Sequence, residues 1–150
     1  MSNGLEQFGK ELRGYLKTVP KLLGRAVVQE SADNFRRQGY EDEGGAVVPW
    51  AERKKPDTVP GRKRRDGSRG PRRTNPRQRA ILMKSGKLRR SVRIVATTAT
   101  TVTVGSSLGY AQAQQEGNGK MPARPFITLG PKTRAKLTKQ LAGAITNLLK

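Results

Sequence analysis

The sequence predicts an α+β domain, in which N-terminal helices and a C-terminal amphipathic helix flank a small antiparallel β-sheet that carries a long basic loop. Three observations predict it. Apolar residues recur at helical spacing at both ends of the chain, and the beat changes to two residues past the middle. Between them runs a stretch rich in proline and glycine with almost nothing apolar. The 150 residues suit a single domain of ordinary size spanning 1–150, with 51–79 as a basic flexible arm inserted in it.

Leu5, Phe8, Leu12, Tyr15 and Leu16 form one face of a first helix, with Glu6, Lys10, Glu11 and Arg13 on the others. Pro20 is tolerated at a helix start, and Leu23, Ala26 and Val27 lead on to Phe35. A second helix or kinked continuation therefore runs to about Gln38, and Gly39, Gly44 and Gly45 stop it. The run from Pro56 to Pro76 holds four prolines and three glycines among clustered cations. It cannot pack a core, and like-charge repulsion is expected to leave it mobile until it is bound. Ser85-Gly86 reads as a plain turn before Leu88, which leads into the first strand.

Val92, Ile94 and Ala96 then alternate with Arg93, Val95 and Thr97, and Thr101 to Val104 repeats the two-residue period. These are two strands joined tightly through Thr98 to Thr100, the second ended by Gly105. Tyr110 to Glu116 suits a short helix closed by Gly117, and two prolines keep Pro122 to Leu129 extended. Pro131 opens a terminal helix whose stripe is Leu137, Leu141, Ala144, Ile145, Leu148 and Leu149. Its cations Lys132, Arg134, Lys136 and Lys139 fall early, against the helix dipole, so an acidic group is expected to face that end.

Thirty-one Lys and Arg against eleven Asp and Glu give a net charge of +20. The charge is a block: residues 51–93 hold seventeen cations against Glu52, Asp57 and Asp66, while residues 1–50 are neutral by count. Such self-repulsion calls for an acidic partner or an assembly. With neither Cys nor His, structural zinc sites and imidazole-dependent triads are closed, and so are disulfides. No run reaches the ~18–20 apolar residues of a membrane span, and no signal or transit segment is expected at the N-terminus, so no membrane partner is expected.

Arg62, Lys63, Arg64, Arg65, Arg72 and Arg73 are the candidate contacts to DNA, RNA or an acidic protein, with a solvated tail as the plain reading. No aromatic sits in the arm between Trp50 and Tyr110, which disfavours recognition by base stacking. The run also resembles a nuclear-localisation cluster, a pattern of low specificity. Glu41, Asp42 and Glu43 form the one acidic cluster and read as an exposed turn that answers the basic arm of a neighbouring copy; consecutive carboxylates seldom converge on a metal. No cofactor is expected. Trp50 is read as core, with an interface anchor as the alternative.

In this order the pieces resemble the bacteriophage virion-morphogenesis proteins, the tail-completion or neck family of Mu-like phages. Two helices end in Phe35-Arg-Arg-Gln-Gly, a Gly-rich turn leads to Trp50, and a basic loop precedes Leu82-Met-Lys-Ser-Gly-Lys-Leu88-Arg-Arg-Ser91. After the hairpin come Tyr110-Ala111, Gln115-Glu116-Gly117 and the most specific piece, Pro122-Ala-Arg-Pro125-Phe126. Gln114-Gln115 departs from the histidine or acid often found there, and the arm is unusually basic.

The resemblance implies a non-enzymatic virion protein at the head-tail junction or head-proximal tail end. It would form a ring, expected to be a hexamer, through which DNA passes, assembled in the host cytoplasm beside other neck and tail proteins. It also implies inter-subunit or structural roles for Trp50, Ser85, Gly86, Leu88, Tyr110, Gly117, Pro122, Arg124, Pro125 and Phe126, with Tyr110 and Phe126 filling the core. The two strands would add to neighbouring subunits. A ribosomal or chromatin-like RNA- or DNA-binding protein is the alternative that charge and size equally allow.

Overall fold

A computed structural model of the 150-residue chain describes residues 3–53, 58–59, 61–74 and 80–148. The first helix, α1 (Asn3–Leu16), has Glu6 in its first turn and Arg13 in its last, both favourable to the dipole. Thr18 closes it, donating from its N–H and its hydroxyl to the Tyr15 carbonyl at 2.8 and 2.7 Å. The second helix, α2 (Val19–Arg37), starts with Pro20 in its first turn. Gln38, not Gly39, ends it, taking a left-handed conformation (φ 56°) from which its N–H reaches the Asn34 carbonyl.

Gly39 instead opens a strand that the sequence reading did not find. β1 (Gly39–Glu41) pairs antiparallel with β2 (Val47–Pro49), setting Gly39 opposite Pro49 and Glu41 opposite Val47. A side chain at Gly39 would fall on the Val48 carbonyl oxygen, so the close pairing demands glycine there. The clues were present in Val47-Val48 and in Gly44-Gly45, which lies within the turn.

The described part of the basic arm forms a hairpin. β3 (Thr58–Val59) pairs antiparallel with β4 (Arg73–Thr74), and an isolated bridge joins Lys63 to Arg69 nearer the tip. Turn chemistry prevails over low hydrophobicity, because Gly67 (φ 84°) and Asp66 close a tight turn between the strands.

Leu88 enters a short helix, α3 (Lys87–Ser91), where the sequence suggested the lead-in to a strand. β5 (Arg93–Thr97) and β6 (Val102–Gly105) then form the expected hairpin, with a bulge between Ile94 and Ala96 that leaves Val95 61% exposed. The short helix α4 (Ala111–Glu116) and the long α5 (Pro131–Leu148) complete the chain. The described strands thus form three separate two-stranded ribbons among helices, an α+β fold.

The core gathers Phe35 from α2, Trp50, Leu88, Val92, Ala111 and Phe126. Of the α5 stripe only Leu137 is buried; Leu141, Ala144 and Leu148 are half-covered, Ile145 is exposed, and Leu149 lies outside the described residues. No described helix is long and apolar enough to cross a membrane.

Where α2 crosses the β5–β6 ribbon, a methyl group built on Gly24 would lie 2.7 Å from Val102 Cγ2 and 2.8 Å from Ile94 Cδ1. Overpacking of this kind costs about 1–3 kcal/mol, against about 1 kcal/mol gained in helix propensity. Gly24→Ala is therefore expected to be destabilising by about 1 kcal/mol, read from the urea midpoint.

Candidate functional site

Two features stand out: the basic hairpin and the clamp that holds its root. Arg62, Lys63, Arg64, Arg65 and Arg72 are all exposed; the side chain of Arg73 lies outside the described residues. Alternation along a ribbon puts successive side chains on opposite faces, so both faces are cationic.

The ribbon's shape is set by its backbone. Arg64 N donates to Ser68 O at 2.7 Å, Gly67 N to Arg64 O at 3.1 Å, and Gly70 N to Arg62 O at 3.1 Å. Gly61 faces the carbonyl of Gly70 so closely that no side chain would fit between the strands. At the tip Asp66 Oδ1 accepts from both the hydroxyl and the N–H of Ser68, at 2.7 and 2.9 Å. Those bonds hold its carboxyl below the usual carboxylate range, so the tip keeps them at neutral pH and loses them only in stronger acid.

The clamp is the Pro122–Phe126 run. Arg124, 7% exposed, donates from Nε to Ala51 O at 3.0 Å and from Nη2 to Glu52 O at 3.2 Å. Burial, then the neighbouring Arg53, pushes its pKa below the usual arginine value. Trp50 is buried, with Nε1 donating to Pro125 O at 2.9 Å, and Phe126 is 1% exposed. This clamp fastens the segment after β2, from which the arm departs.

Gln115 completes it by acting as a substitute strand: its Oε1 accepts from the N–H groups of Phe126 and Ile127, and its Nε2 donates to Ile127 O. A side-chain amide supplies both donor and acceptor here, which a carboxylate cannot do. Gly117 (φ 77°) turns the chain where a side chain would strike the backbone of Met121 and Ala123.

The other motif residues fall elsewhere. Gly86 (φ 66°) is the left-handed residue before α3, and Ser85 precedes it on the rim of a cavity. Tyr110 is 48% exposed and not in the core, because Ala111 takes the buried position at the start of α4. Tyr110, Ser85 and Leu88 line the same cavity, of about 410 Å³, while Pro122 lines a shallower one beside Ala51 and Glu52.

Sequence reasoning missed a buried polar network at the end of α2. Asn34, fully buried, donates to Phe126 O at 3.3 Å and to Thr128 Oγ1 at 2.7 Å, and accepts from Arg37. Arg37 also pairs with Glu30, and with Glu41 at 3.0 Å. Glu41 is therefore not part of an exposed turn: it is 9% exposed, inside its own chain, and Lys132 Nζ approaches it at 3.6 Å. Glu30 accepts from Thr133 as well, so the acidic groups facing the start of α5 are intramolecular. Only the spacing Glu30, Asn34, Arg37, one face of α2, hinted at this.

With Glu41 turned inward and Glu43 outward, the three acids diverge; among the described residues no group of potential ligands could hold a metal ion. The arrangement is a cationic ribbon joined to a small core. The model of the phage virion morphogenesis family matches residues 2–146, and the chain belongs to that family. No curated protein and no solved structure matches it. Membership favours a structural or assembly role in the phage particle over a catalytic one.

Proposed function

We propose that the protein joins head to tail: it sits at the junction or the head-proximal end of the tail, where copies form a ring, with six as the expected number, around the passing genome. The observation that carries this is the basic hairpin, a ribbon with exposed cations on a chain of the virion morphogenesis family. A two-stranded ribbon matches the ~12 Å width of the DNA major groove, and arginines on both faces suit phosphates of any sequence. Acidic surfaces of neighbouring neck and tail proteins are the second partner that the same charges fit, and the open edges of the β5–β6 ribbon offer a contact between subunits.

Loss of the protein is expected to leave filled heads beside unattached or misterminated tails in electron micrographs of lysates. Normal infectious particles would remove the joining role, and salt-sensitive nucleic-acid binding by a monomer without virion association would favour the ribosomal or chromatin-like alternative. Neutralising Arg62, Lys63, Arg64, Arg65, Arg72 and Arg73 together is expected to abolish joining and, if DNA is the partner, to flatten the log-log salt dependence of DNA binding by about 5. Unchanged joining would take the hairpin out of the mechanism.

A further inference from the structure

No acid occurs between Asp66 and Glu116, and within that span a second group of cations follows the basic hairpin in sequence. Lys84, Lys87, Arg89, Arg90 and Arg93 are all exposed, and none has an ion pair among the described residues. The sequence holds one acidic side chain outside the described residues, Asp57, too little to neutralise five cations.

These cations are mounted on the core. Leu88 and Val92, 3% and 7% exposed, belong to the cluster of Phe35, Trp50 and Phe126 and fix α3 from beneath. Ser91 ties the end of the helix, its hydroxyl lying 2.7 Å from the Leu88 carbonyl and 2.6 Å from Ser106 Oγ. Arg90 is aimed by its surroundings: Nη2 donates to Ser85 O at 3.0 Å, and a side chain at Gly86 would strike Nη1 at 2.8 Å. Lys87 stands three residues before Arg90, the spacing of neighbours on a helix surface. Arg93 opens β5, where Ile94 Cδ1 points at Gly24 of α2, so alternation turns Arg93 to the open face of the ribbon.

From Lys84 to Arg93 the apolar side chains are Leu88 and Val92, both buried, and there is no aromatic. The run therefore shows a partner only charge and hydroxyls. A protein partner calls for an apolar centre from which charges are depleted, whereas protein–DNA interfaces are polar and strongly positive. Without an aromatic platform, single strands have nothing to stack on.

We infer that Lys84, Lys87, Arg89, Arg90 and Arg93 form a second contact to duplex DNA, made to its phosphate backbone and held by the core. The inference rests on the proposed passage of the genome through the junction and adds a contact outside the hairpin. Phosphate contacts position a duplex without reading its sequence, which suits a genome that must move past.

The test is binding of the full chain to a short duplex of mixed sequence across a range of salt. Replacing the five cations by glutamine, with the hairpin intact, is expected to lower the log-log salt slope by about 4. Arg89→Lys, Arg90→Lys and Arg93→Lys together keep the charge and should keep the slope. Amine-reactive labelling of the unsubstituted chain reads the same site: the duplex should protect Lys84 and Lys87 several-fold, while Lys10 on α1 and Lys120 after α4, both exposed, stay open.

An unchanged slope, or equal labelling of Lys84 and Lys87 with and without DNA, would overturn the second contact and leave the hairpin reading intact if the hairpin variant still loses its own share. An equal loss in the lysine variant would overturn the assignment to charge. A glutamine variant that keeps DNA but loses an acidic polypeptide would overturn the inference in favour of a protein partner. A chain that binds no duplex at any salt would overturn both DNA contacts, while the joining role is judged separately from the micrographs.

Discussion

Phe35→Ala is expected to destabilise the protein by about 3–5 kcal/mol, enough to consume much of the ~5–15 kcal/mol that holds a domain of this size together. Phe35 is 2% exposed and sits at the centre of the aromatic cluster. Its ring meets Trp50 edge-on, centroids 5.5 Å apart and planes at 78°, and meets Phe126 at 5.5 Å and 43°. The core is small, so little surrounds the vacated space to collapse into it. Urea denaturation followed by Trp50 fluorescence reads the loss directly, and Leu5→Ala, at a side chain 83% exposed, should shift the midpoint hardly at all. Equal shifts for the two would mean that Phe35 is not the centre of the core.

The second large effect is expected at Arg37. Arg37→Met keeps the length of the side chain but leaves Glu30 and Glu41, each with a side chain 6% exposed, without their shared cation. Breaking a buried pair by removing one partner typically costs about 3–5 kcal/mol, because the remaining charge is stranded away from water. Lys132 cannot take over, since it stands 70% exposed and reaches only Glu41. Arg36→Met is the internal control. Its pair with Asp33 is open to solvent and is worth about 1 kcal/mol or less. Similar melting temperatures for the two variants would refute the assignment of Arg37 as the hub.

The contrast between adjacent arginines shows what the sequence could and could not disclose. Helical periodicity placed the two N-terminal helices within a residue or two, and the two-residue beat of Val92–Val104 found the β5–β6 hairpin, because burying one face imposes a pattern on the chain. The β1–β2 ribbon escaped because only three residues pair on each side, too few for a period to appear. The fate of Glu41 was equally hidden: its neighbours in sequence are exposed acids, and its partner Arg37 lies across the end of a helix.

The motif residues were recognisable as a string, but their separate duties required the fold. The resemblance marked Arg124, between two prolines, for an interface or structural contact, but its partners, the carbonyls of Ala51 and Glu52, are visible only in the fold. Tyr110 went the other way, since a tyrosine beside alanine looks like core until α4 turns the alanine inward. In the arm, composition argued for mobility, and the Asp66-Gly67-Ser68 turn that helps form the hairpin came to light only in the fold.

One helix touches nearly everything else: α2 lies against α1, β1, α3, β5, β6 and α5. None of the three ribbons is wide enough to stand by itself, since two strands are marginal in water, so those on α2 borrow their persistence from it. The protein should therefore divide into two regimes of hydrogen exchange. Amides of α2 and the strands packed on it are expected to open only when the whole domain unfolds, whereas those of the basic hairpin, less closely packed on α2 among the described residues, exchange through local opening. The body then keeps its form while the hairpin adjusts to whatever surface it meets.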